Sequence, residues 1–330
     1  MPPSWRFLYP ASILVACCFK AFAAPRREAV GKHEVIWEPP SSGPLRGIVF
    51  LFHGCNHGAS DFWPPQPGCS DCLGLPEERA IVREAHARGL VTIAISSWDR
   101  SHSKCWQPVD VSGCLWVIET MRSRLQLEDA PSFLLGASSG GGFTGMLASR
   151  SSDGTLTAIS SQIMPLNDHF FAMDRKRVAL ELVSMPRDDT MEPFVQNNVA
   201  TAKNLKMRWA ARHCLPLSVT PHLFSDRDAS ISPAVSAAIG RALGEAGLIN
   251  ADTGLLLEDP RESDWRSELQ HAKYETSELR QAVLALPMEA DASALSEIMN
   301  VAFAKHEFCA TDIKLTFDFF NEAAAAAALL

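Results

Sequence analysis

Short hydrophobic runs alternate with stretches of helical spacing over the first 224 residues. The runs at 46–52 and 90–96 are almost continuously apolar, which is typical of strands buried on both faces of a sheet. Residues 33–39 alternate apolar and polar positions, as an edge strand does. Further strands are predicted at 132–137, 156–164, 178–185 and 215–224, and helices at 77–88, 113–127 and 191–212. This order predicts an α/β fold, with a mostly parallel sheet covered by helices on both faces.

The pattern changes after residue 224. Residues 225–299 are polar and helix-like, with one turn-forming stretch at 250–254 that suggests a hairpin. We predict that they form a helical insertion or cap between two parts of an α/β core, 24–224 and 300–322. Residues 323–330 are mostly alanine and are predicted to be a low-complexity tail at the fraying end of the last helix.

The sequence Gly136-Ala-Ser138-Ser-Gly140 joins a predicted strand to a stretch that reads as a helix start. In that context a serine occupies a strained turn that presents its hydroxyl at the edge of the sheet. The flanking glycines fit, because a Cβ at either position would crowd the reversal. We therefore predict Ser138 to be a nucleophile; a glycine-rich connection without chemistry is the alternative.

A serine nucleophile needs a base within hydrogen-bond reach and an acid that orients the base. In this type of sheet they follow in the order serine, acid, histidine. The histidines downstream of Ser138 are His169, His213, His222, His271 and His306. His306 is predicted to be the base because it lies late in the chain, just before an amphipathic final helix. The alternative is a surface histidine that caps this helix.

The acid is expected in the loop that follows the predicted strand at 178–185. Asp188 is our choice and Asp189 is the alternative acid, while Asp226 and Asp228 are less favoured candidates. Either residue of the Asp188-Asp189 pair could instead cap the helix that begins near Met191. The two roles can also be divided between the neighbours.

Acyl transfer requires donors for the oxygen that becomes negative. The backbone N–H groups of Ser139 and Cys55 are predicted to supply them. Cys55 belongs to His53-Gly-Cys55, directly after the first long buried strand. His53 itself is predicted to brace this loop and not to act as a second base.

Composition excludes some partners and leaves the cysteine pairing open. The formal charge of −8 at pH 7 argues against a nucleic-acid partner, which would require a basic stripe. Seven of the nine cysteines lie beyond the first 23 residues, so at least one is unpaired even in a fully oxidised chain. Cys69-x-x-Cys72 is either a tight disulfide or half of a metal site. Zinc is disfavoured because no second pair follows at the spacing of a zinc site.

The N-terminus resembles a targeting signal. Arg6 precedes an apolar stretch at 7–19, and Ala21-Phe-Ala23 provides the small residues that signal peptidase accepts. Residues 1–23 are therefore predicted to be a signal peptide, with an uncleaved anchor or an organelle transit peptide as alternatives. No other segment approaches the length of a membrane span, so no span is expected in the mature chain.

These motifs together resemble the α/β-hydrolase superfamily. His53-Gly-Cys55, Cys105-Trp106 and the Gly136–Gly140 elbow are locally similar to secreted polyhydroxybutyrate depolymerases and feruloyl-esterase-like enzymes. His53-Gly-Cys-Asn-His57 and Asp61-Phe-Trp63 also resemble uncharacterised hydrolase-like proteins of plants and algae. The resemblance implies a serine nucleophile, carboxylic ester substrates and no cofactor.

The sequence therefore predicts a secreted serine hydrolase that cleaves a small or polymeric carboxylic ester through an acyl-Ser138 intermediate. A peptidase, an amidase or an acyltransferase with the same triad is the first alternative. The second is a binding protein that keeps the fold without a working triad, since fold alone does not imply function.

Overall fold

The computed structural model describes residues 24–152, 154–172 and 178–329. The strands are β1 Arg26–Val30, β2 His33–Glu38, β3 Gly47–Phe52, β4 Leu90–Ile95, β5 Ser132–Ala137, β6 Ala158–Gln162, β7 Ala179–Ser184 and β8 Trp209–His213. The helices are α1 Pro76–Ala87, α2 Asp110–Arg124, α3 Ser139–Arg150, α4 Asp168–Ala172, α5 Glu192–Asn204, α6 Leu223–Arg227, α7 Pro233–Glu245, α8 Trp265–His271, α9 Ser277–Leu284, α10 Ala294–Phe303 and α11 Ile313–Ala327, with a short 3₁₀ helix at Ala59–Phe62. The predicted signal peptide lies outside the described residues.

All the described strands form one sheet in the order β1-β2-β4-β3-β5-β6-β7-β8. Strands β3 to β8 run parallel to one another, while β2 is antiparallel to both β1 and β4. The predicted α/β class with a mostly parallel sheet is therefore confirmed. Because parallel strands point the same way, the loops after β3, β5 and β7 meet at one edge of the sheet.

The structure corrects three predicted elements. The segment at 33–39 is not an edge strand, because β1, which the sequence analysis missed, pairs with its outer side. The predicted helix at 191–212 ends at Asn204, and its last residues form β8 instead. The predicted strand at 215–224 is irregular backbone followed by α6. It contains Pro216 and Pro221, which cannot donate to a strand ladder.

Two hydrophobic layers enclose the sheet. On one face, Phe133 and Leu135 pack in a cluster that includes residues of α1 and the buried side of α11. On the other face, Phe50 and Leu134 belong to a cluster with residues of α2, α3 and α5. Every residue of β3, β4, β5 and β7 is buried, which explains their nearly continuous apolar sequence.

The predicted helical insertion contains a third hydrophobic cluster. Helices α6 to α10 contribute most of its buried members, among them Ile239, Trp265 and Ile298, and Phe224 joins it from just before the predicted insertion. The helix-like stretch over 263–286 contains two separate helices, since α8 ends at His271 and α9 begins at Ser277. At the suggested hairpin, an isolated bridge pairs Ile249 with Leu256. The division into a core and an insertion at residue 225 stays a prediction.

The final helix is longer than the amphipathic pattern alone suggested. It continues to Ala327, so most of the alanine tract is helical, and Ala323 is buried against the sheet cluster. None of the helices in the described part of the chain is long and apolar enough to cross a bilayer.

Three disulfides connect loops of the described chain. They are Cys55–Cys105, Cys69–Cys72 and Cys214–Cys309. Cys114 is buried and forms no disulfide, which agrees with the odd number of cysteines after residue 23. Cys214–Cys309 closes a 95-residue separation and so fastens the end of β8 to the segment before α11.

Candidate active site

Ser138 lies on a sharp turn between β5 and α3. Its backbone has φ 53° and ψ −125°, a conformation that costs energy in a non-glycine residue and persists only when its surroundings enforce it. A Cβ at Gly136 would lie 2.5 Å from the Gly140 carbonyl oxygen, and one at Gly140 would collide with the Phe52 and His53 backbone. The two flanking glycines are therefore required by the close approach of β3, β5 and α3.

The structure brings Ser138, His306 and Asp188 together. The Ser138 hydroxyl lies 2.8 Å from His306 Nε2, and His306 Nδ1 lies 2.6 Å from Asp188 Oδ2. With the proton on Nδ1, the imidazole donates to the carboxylate and accepts from the serine hydroxyl. These distances fall within the range expected for a nucleophile, a base and its orienting acid.

Asp188 orients His306 and also caps a helix. Its carboxylate is almost fully buried, and Oδ1 accepts a hydrogen bond of 3.0 Å from the Met191 N–H at the start of α5. The neighbouring Asp189 is exposed and lies 3.5 Å from the Thr190 hydroxyl. Asp188 therefore both orients His306 and caps α5, two roles that the sequence allows for either Asp188 or Asp189.

The less favoured acids lie elsewhere. Asp226 is exposed on α6. Asp228 is buried and accepts hydrogen bonds from Arg79 and from the Ser230 N–H. Within the described chain neither side-chain carboxylate contacts a histidine ring, so Asp188 is the carboxylate that the fold directs toward His306.

The loop that carries His306 is held at several points. Gln162, at the end of β6, donates to the Cys309 carbonyl and accepts from the Cys309 N–H, at 3.2 and 2.9 Å. The Arg187 N–H donates to the Ala304 carbonyl, and Arg261 donates to the His306 carbonyl at 2.6 Å. The disulfide from Cys309 to β8 adds a covalent link. These contacts fix the position of the His306 imidazole, although a long segment of the chain precedes it.

The other downstream histidines have different surroundings. His169, His222 and His271 are exposed. His213 lies at the end of β8, where its Nδ1 is 3.2 Å from the Ser184 hydroxyl and 3.5 Å from Glu192. The alternative role of His306, capping the final helix, has no support, because its two ring nitrogens contact Asp188 and Ser138.

Both predicted oxyanion donors lie beside Ser138. Ser139 is the first residue of α3, so its N–H has no intrahelical acceptor. Cys55 lines the same cavity as Ser138, and within the described ranges no atom accepts a hydrogen bond from its N–H. The Cys55–Cys105 disulfide and the 2.8 Å bond from the Asn56 N–H to the Ser103 carbonyl fix this loop.

His53 braces the loop, as its position after β3 indicated. Its Nδ1 donates to the Gly54 carbonyl at 2.6 Å, and its Nε2 accepts from the Ser97 N–H at 3.1 Å. Complete burial lowers its pKa to about 3, so the ring is neutral. Trp106 donates to the His53 carbonyl and stacks on Phe143, which fixes the backbone behind Ser138.

A cavity of about 280 Å³ opens beside Ser138 and His306. Its apolar wall is formed by Ala137, Ile163 and Phe308, and its polar wall includes Asn56, His57, Arg261 and Asp291. Arg261 and Asp291 come from the helical segment, so that segment contributes to the site. Phe143 and Trp63 are buried in the core and Trp98 is 53% exposed on the surface, and none of the three lines this cavity.

His57, Asp61 and Arg261 have no predicted role from the sequence alone. His57 Nδ1 lies 2.9 Å from Asp61 Oδ2, four residues later across the start of the 3₁₀ helix. Arg261 also bonds to Glu307 at 3.0 Å. The His-x-x-x-Asp spacing is visible in the sequence, but only the fold places His57 at the cavity of Ser138, with Asp61 buried against its ring.

Buried carboxyl groups lie behind the polar wall. Glu77 and Glu78 on α1 and Glu297 on α10 are 1–4% exposed. Burial raises the pKa of Glu78 to about 7, and burial together with the nearby Glu78 raises the pKa of Glu297 well above its usual range. Glu297 also accepts a hydrogen bond from the Glu77 N–H, so this acid connects the helical segment to the sheet layer.

Glu297→Gln is expected to stabilise the protein at alkaline pH. The folded-state pKa values of Glu78 and Glu297 lie above their unfolded values, so folding is favoured while both acids are protonated. Their contribution is lost as pH rises from the unfolded pKa through the folded pKa. In urea denaturation, we expect the free energy of unfolding of Glu297→Gln to exceed that of the wild type by about 1–3 kcal/mol at pH 8 and by much less at pH 4.5. An equal difference at both pH values would contradict a titrating pair.

Within the described residues, no group of three or more His, Cys, Asp or Glu side chains is arranged to hold a metal ion. Cys69 and Cys72, considered as half of a metal site, are bonded to each other.

Comparison with known proteins gives structural matches only. No family model matches the chain, and no curated protein matches it in sequence. A carboxylesterase from Mesorhizobium loti aligns with 17% identity and a TM-score of 0.45, covering 57% of this chain and 88% of the esterase. A puromycin-hydrolysing peptidase from Mycobacterium tuberculosis aligns with 15% identity and a TM-score of 0.42, covering 58% of this chain and 36% of the peptidase. The esterase Est2 of Thermogutta terrifontis aligns with 14% identity and a TM-score of 0.40, covering 58% of this chain and 83% of the esterase.

The topology of the chain itself decides its fold. The sheet order, the antiparallel β2 and the turn at Ser138 between β5 and α3 are all present, and the loops after β7 and α10 carry Asp188 and His306. A nucleophile elbow in this position of a mostly parallel sheet is the defining feature of one architecture. The chain has the α/β-hydrolase fold.

Proposed function

We propose that this protein is a serine hydrolase that cleaves a carboxylic ester through an acyl-Ser138 intermediate. The observation that carries the proposal is the continuous chain of hydrogen bonds from the Ser138 hydroxyl through His306 to Asp188. A serine hydroxyl is a weak nucleophile at its own pKa, and a base in this geometry activates it.

In the acylation step, Ser138 Oγ attacks the ester carbonyl carbon while His306 Nε2 takes the hydroxyl proton. The Asp188 carboxylate stabilises the imidazolium that forms. The carbonyl oxygen becomes negative and accepts hydrogen bonds from the N–H groups of Cys55 and Ser139. As the tetrahedral species collapses, the bond to the alcohol oxygen breaks, and His306 returns its proton to that oxygen.

In the deacylation step, water takes the place of the alcohol. His306 removes a proton from the water, the hydroxide attacks the acyl carbon, and the same two N–H groups hold the oxyanion. Collapse releases the carboxylic acid and restores the Ser138 hydroxyl. No cofactor enters this sequence of steps.

The cavity supports a compact substrate. Its volume of about 280 Å³ is close to the lower end of the range of ligand pockets. Ile163 and Phe308 suit a short acyl chain, whereas the wall with Asn56 and Arg261 suits a polar alcohol. Short-chain p-nitrophenyl esters are therefore the appropriate first substrates.

We further propose that the protein acts in the secretory pathway or outside the cell. Three disulfides support an oxidising compartment, and residues 1–23 have the pattern of a signal peptide. N-terminal sequencing of the protein recovered from a eukaryotic secretion host tests this proposal, with cleavage after Ala23 as the expected result.

A fluorophosphonate probe tests the serine chemistry directly. The probe phosphonylates only an activated serine, so wild-type protein should be labelled, and mass spectrometry of its peptides should locate the adduct at Ser138. Release of p-nitrophenol from the acetate and butyrate esters should accompany labelling. A panel of aminoacyl anilides separates ester from amide hydrolysis, and a protein that neither reacts with the probe nor cleaves any ester would show that the proposal is wrong.

A further inference from the structure

We propose that His57 is a second imidazole of the active site and donates a hydrogen bond to the acyl oxygen of the substrate during reaction at Ser138. The inference rests on the proposed function and extends it. It adds a side-chain donor to the two backbone donors of the oxyanion site.

The position of His57 is the first observation. His57 follows Cys55 by two residues on the loop after β3 and lines the cavity of Ser138. A Cβ built at Gly54 would lie 3.6 Å from Ser138 Cβ and 3.8 Å from His57 Cδ2. His57 Cδ2, the ring atom bonded to Nε2, and Ser138 Cβ therefore both approach the same point beside Gly54, in the loop that carries the predicted oxyanion donor Cys55.

The hydrogen bonds of His57 are the second observation. Its Nδ1 is engaged by Asp61 at 2.9 Å, and within the described part of the chain Nε2 has no hydrogen-bond partner. The side chain retains 12% exposure, and this exposed part borders the cavity. Because one nitrogen is anchored, the other is held in a fixed direction and is available to a substrate.

Asp61 is built to keep this imidazole oriented. Its side chain is 3% exposed, its Oδ2 also accepts from the Gly58 N–H at 3.0 Å, and its Oδ1 accepts from the Ser60 hydroxyl at 3.1 Å. The cavity thus faces two imidazole–carboxylate pairs. His306–Asp188 accepts a proton from the serine, while His57–Asp61 presents an N–H.

The surrounding charges keep His57 protonated. Burial by itself lowers the pKa of His57, but the hydrogen bond and charge of Asp61, with Glu307 and Glu78, raise it to about 9. Charged and titratable groups surround His57 from five parts of the chain. They are Asp61 and His53 in its own segment after β3, Glu78 on α1, Arg100 and Lys104 on the loop after β4, Arg261 and Asp291 on the helical segment, and His306 and Glu307 before α11. At neutral pH the ring is a donor and cannot be a general base.

A cationic donor in this place acts mainly on the transition state. Negative charge on the acyl oxygen is small in the bound ester and large in the tetrahedral species, so the interaction should change kcat more than KM. No proton needs to leave His57: the oxygen accepts the hydrogen bond as it becomes negative and releases it when the carbonyl re-forms.

Three variants test the inference with p-nitrophenyl acetate. His57→Phe removes the donor and should lower kcat by about 10²–10³-fold with a much smaller change in KM. His57→Gln retains a neutral amide donor and should lose less. His271→Gln, at an exposed histidine of α8, is the matched control and should be unchanged.

The pH profile distinguishes a donor from a structural residue. Wild-type kcat should fall above about pH 9, because the deprotonated ring presents a lone pair at Nε2 to the oxyanion. His57→Gln should lack this alkaline fall. Asp61→Asn keeps the ring but removes the charge that holds its proton, so the fall should move to lower pH.

The results separate the two proposals. If folded His57→Phe, judged by an unchanged thermal transition, has kcat within about threefold of wild type, or if His57→Gln keeps the alkaline fall, the assignment of His57 is wrong and the serine hydrolase stands. If His57→Phe does not fold, the Asp61→Asn profile decides, and an unmoved alkaline fall overturns the assignment. If the wild type cleaves no ester, both proposals fail.

Discussion

Ser138→Ala is expected to remove ester hydrolysis almost completely, with kcat reduced by about 10⁶-fold. The replaced atom is the one that forms the covalent bond to the acyl group, and no other hydroxyl lies in its place. The turn should survive, because Ser138 makes its side-chain hydrogen bond to His306 alone and its backbone bonds to Gln162 and Gly142 do not involve the hydroxyl. Initial rates with p-nitrophenyl butyrate and the urea midpoint measure the two effects separately.

The matched control for this variant is Ser225→Ala. Ser225 lies on α6, where its hydroxyl donates to the His222 carbonyl, far along the chain from the cavity residues. It should keep wild-type activity and wild-type labelling by the fluorophosphonate probe. Undiminished hydrolysis by folded Ser138→Ala would exclude an acyl-Ser138 intermediate and with it the proposed mechanism.

The central strands and the elbow could be predicted from sequence because their signals are local. Strands β3, β4 and β5 are buried along their whole length, so nearly every residue is apolar and the run is easy to recognise. The Gly136–Gly140 pattern reflects backbone contacts within a few residues. Both features depend little on distant parts of the chain.

The last strand could not be predicted, because distant contacts define it. Strand β8 has the sequence Trp-Ala-Ala-Arg-His and is only partly buried, so its composition suits a helix as well as a strand. It exists because it pairs with β7 and because Cys214 is bonded to Cys309. The apolar run that follows, 215–224, predicts a strand by composition, but its Leu217 and Val219 N–H groups donate to the carbonyls of Ala302 and Gly254 and not to a strand of the sheet.

The site was predictable where chain order carries information. The position of His306 late in the sequence agreed with the order serine, acid, histidine, and the structure places its ring between Ser138 and Asp188. His57 gave no such signal, since a histidine four residues before an aspartate is common on surfaces. Only the cavity formed by the helical segment and the loop after β3 distinguishes it.

The choice between Asp188 and Asp189 is a second feature that sequence alone does not decide, and it leads to the second large expected effect on kcat. The two residues are adjacent and chemically identical, so sequence alone cannot rank them. In the fold, the Asp188 side chain is 6% exposed and directed at His306, whereas Asp189 is exposed to solvent. A buried carboxylate fixes the tautomer of its imidazole far better than a solvated one.

Asp188→Asn is therefore expected to lower kcat by about 10⁴-fold, whereas Asp189→Asn should stay within about twofold of wild type. The new amide keeps an oxygen that can accept from the Met191 N–H, so the helix cap and the stability should be nearly preserved. Its NH₂ group, however, donates toward His306 Nδ1, which moves the ring proton to Nε2 and leaves no acceptor for the Ser138 hydroxyl. The activity that remains should increase with pH only as hydroxide begins to replace the missing base. A large loss in Asp189→Asn with Asp188→Asn active would reverse the assignment, because the exposed carboxylate would then have to reach the imidazole in solution.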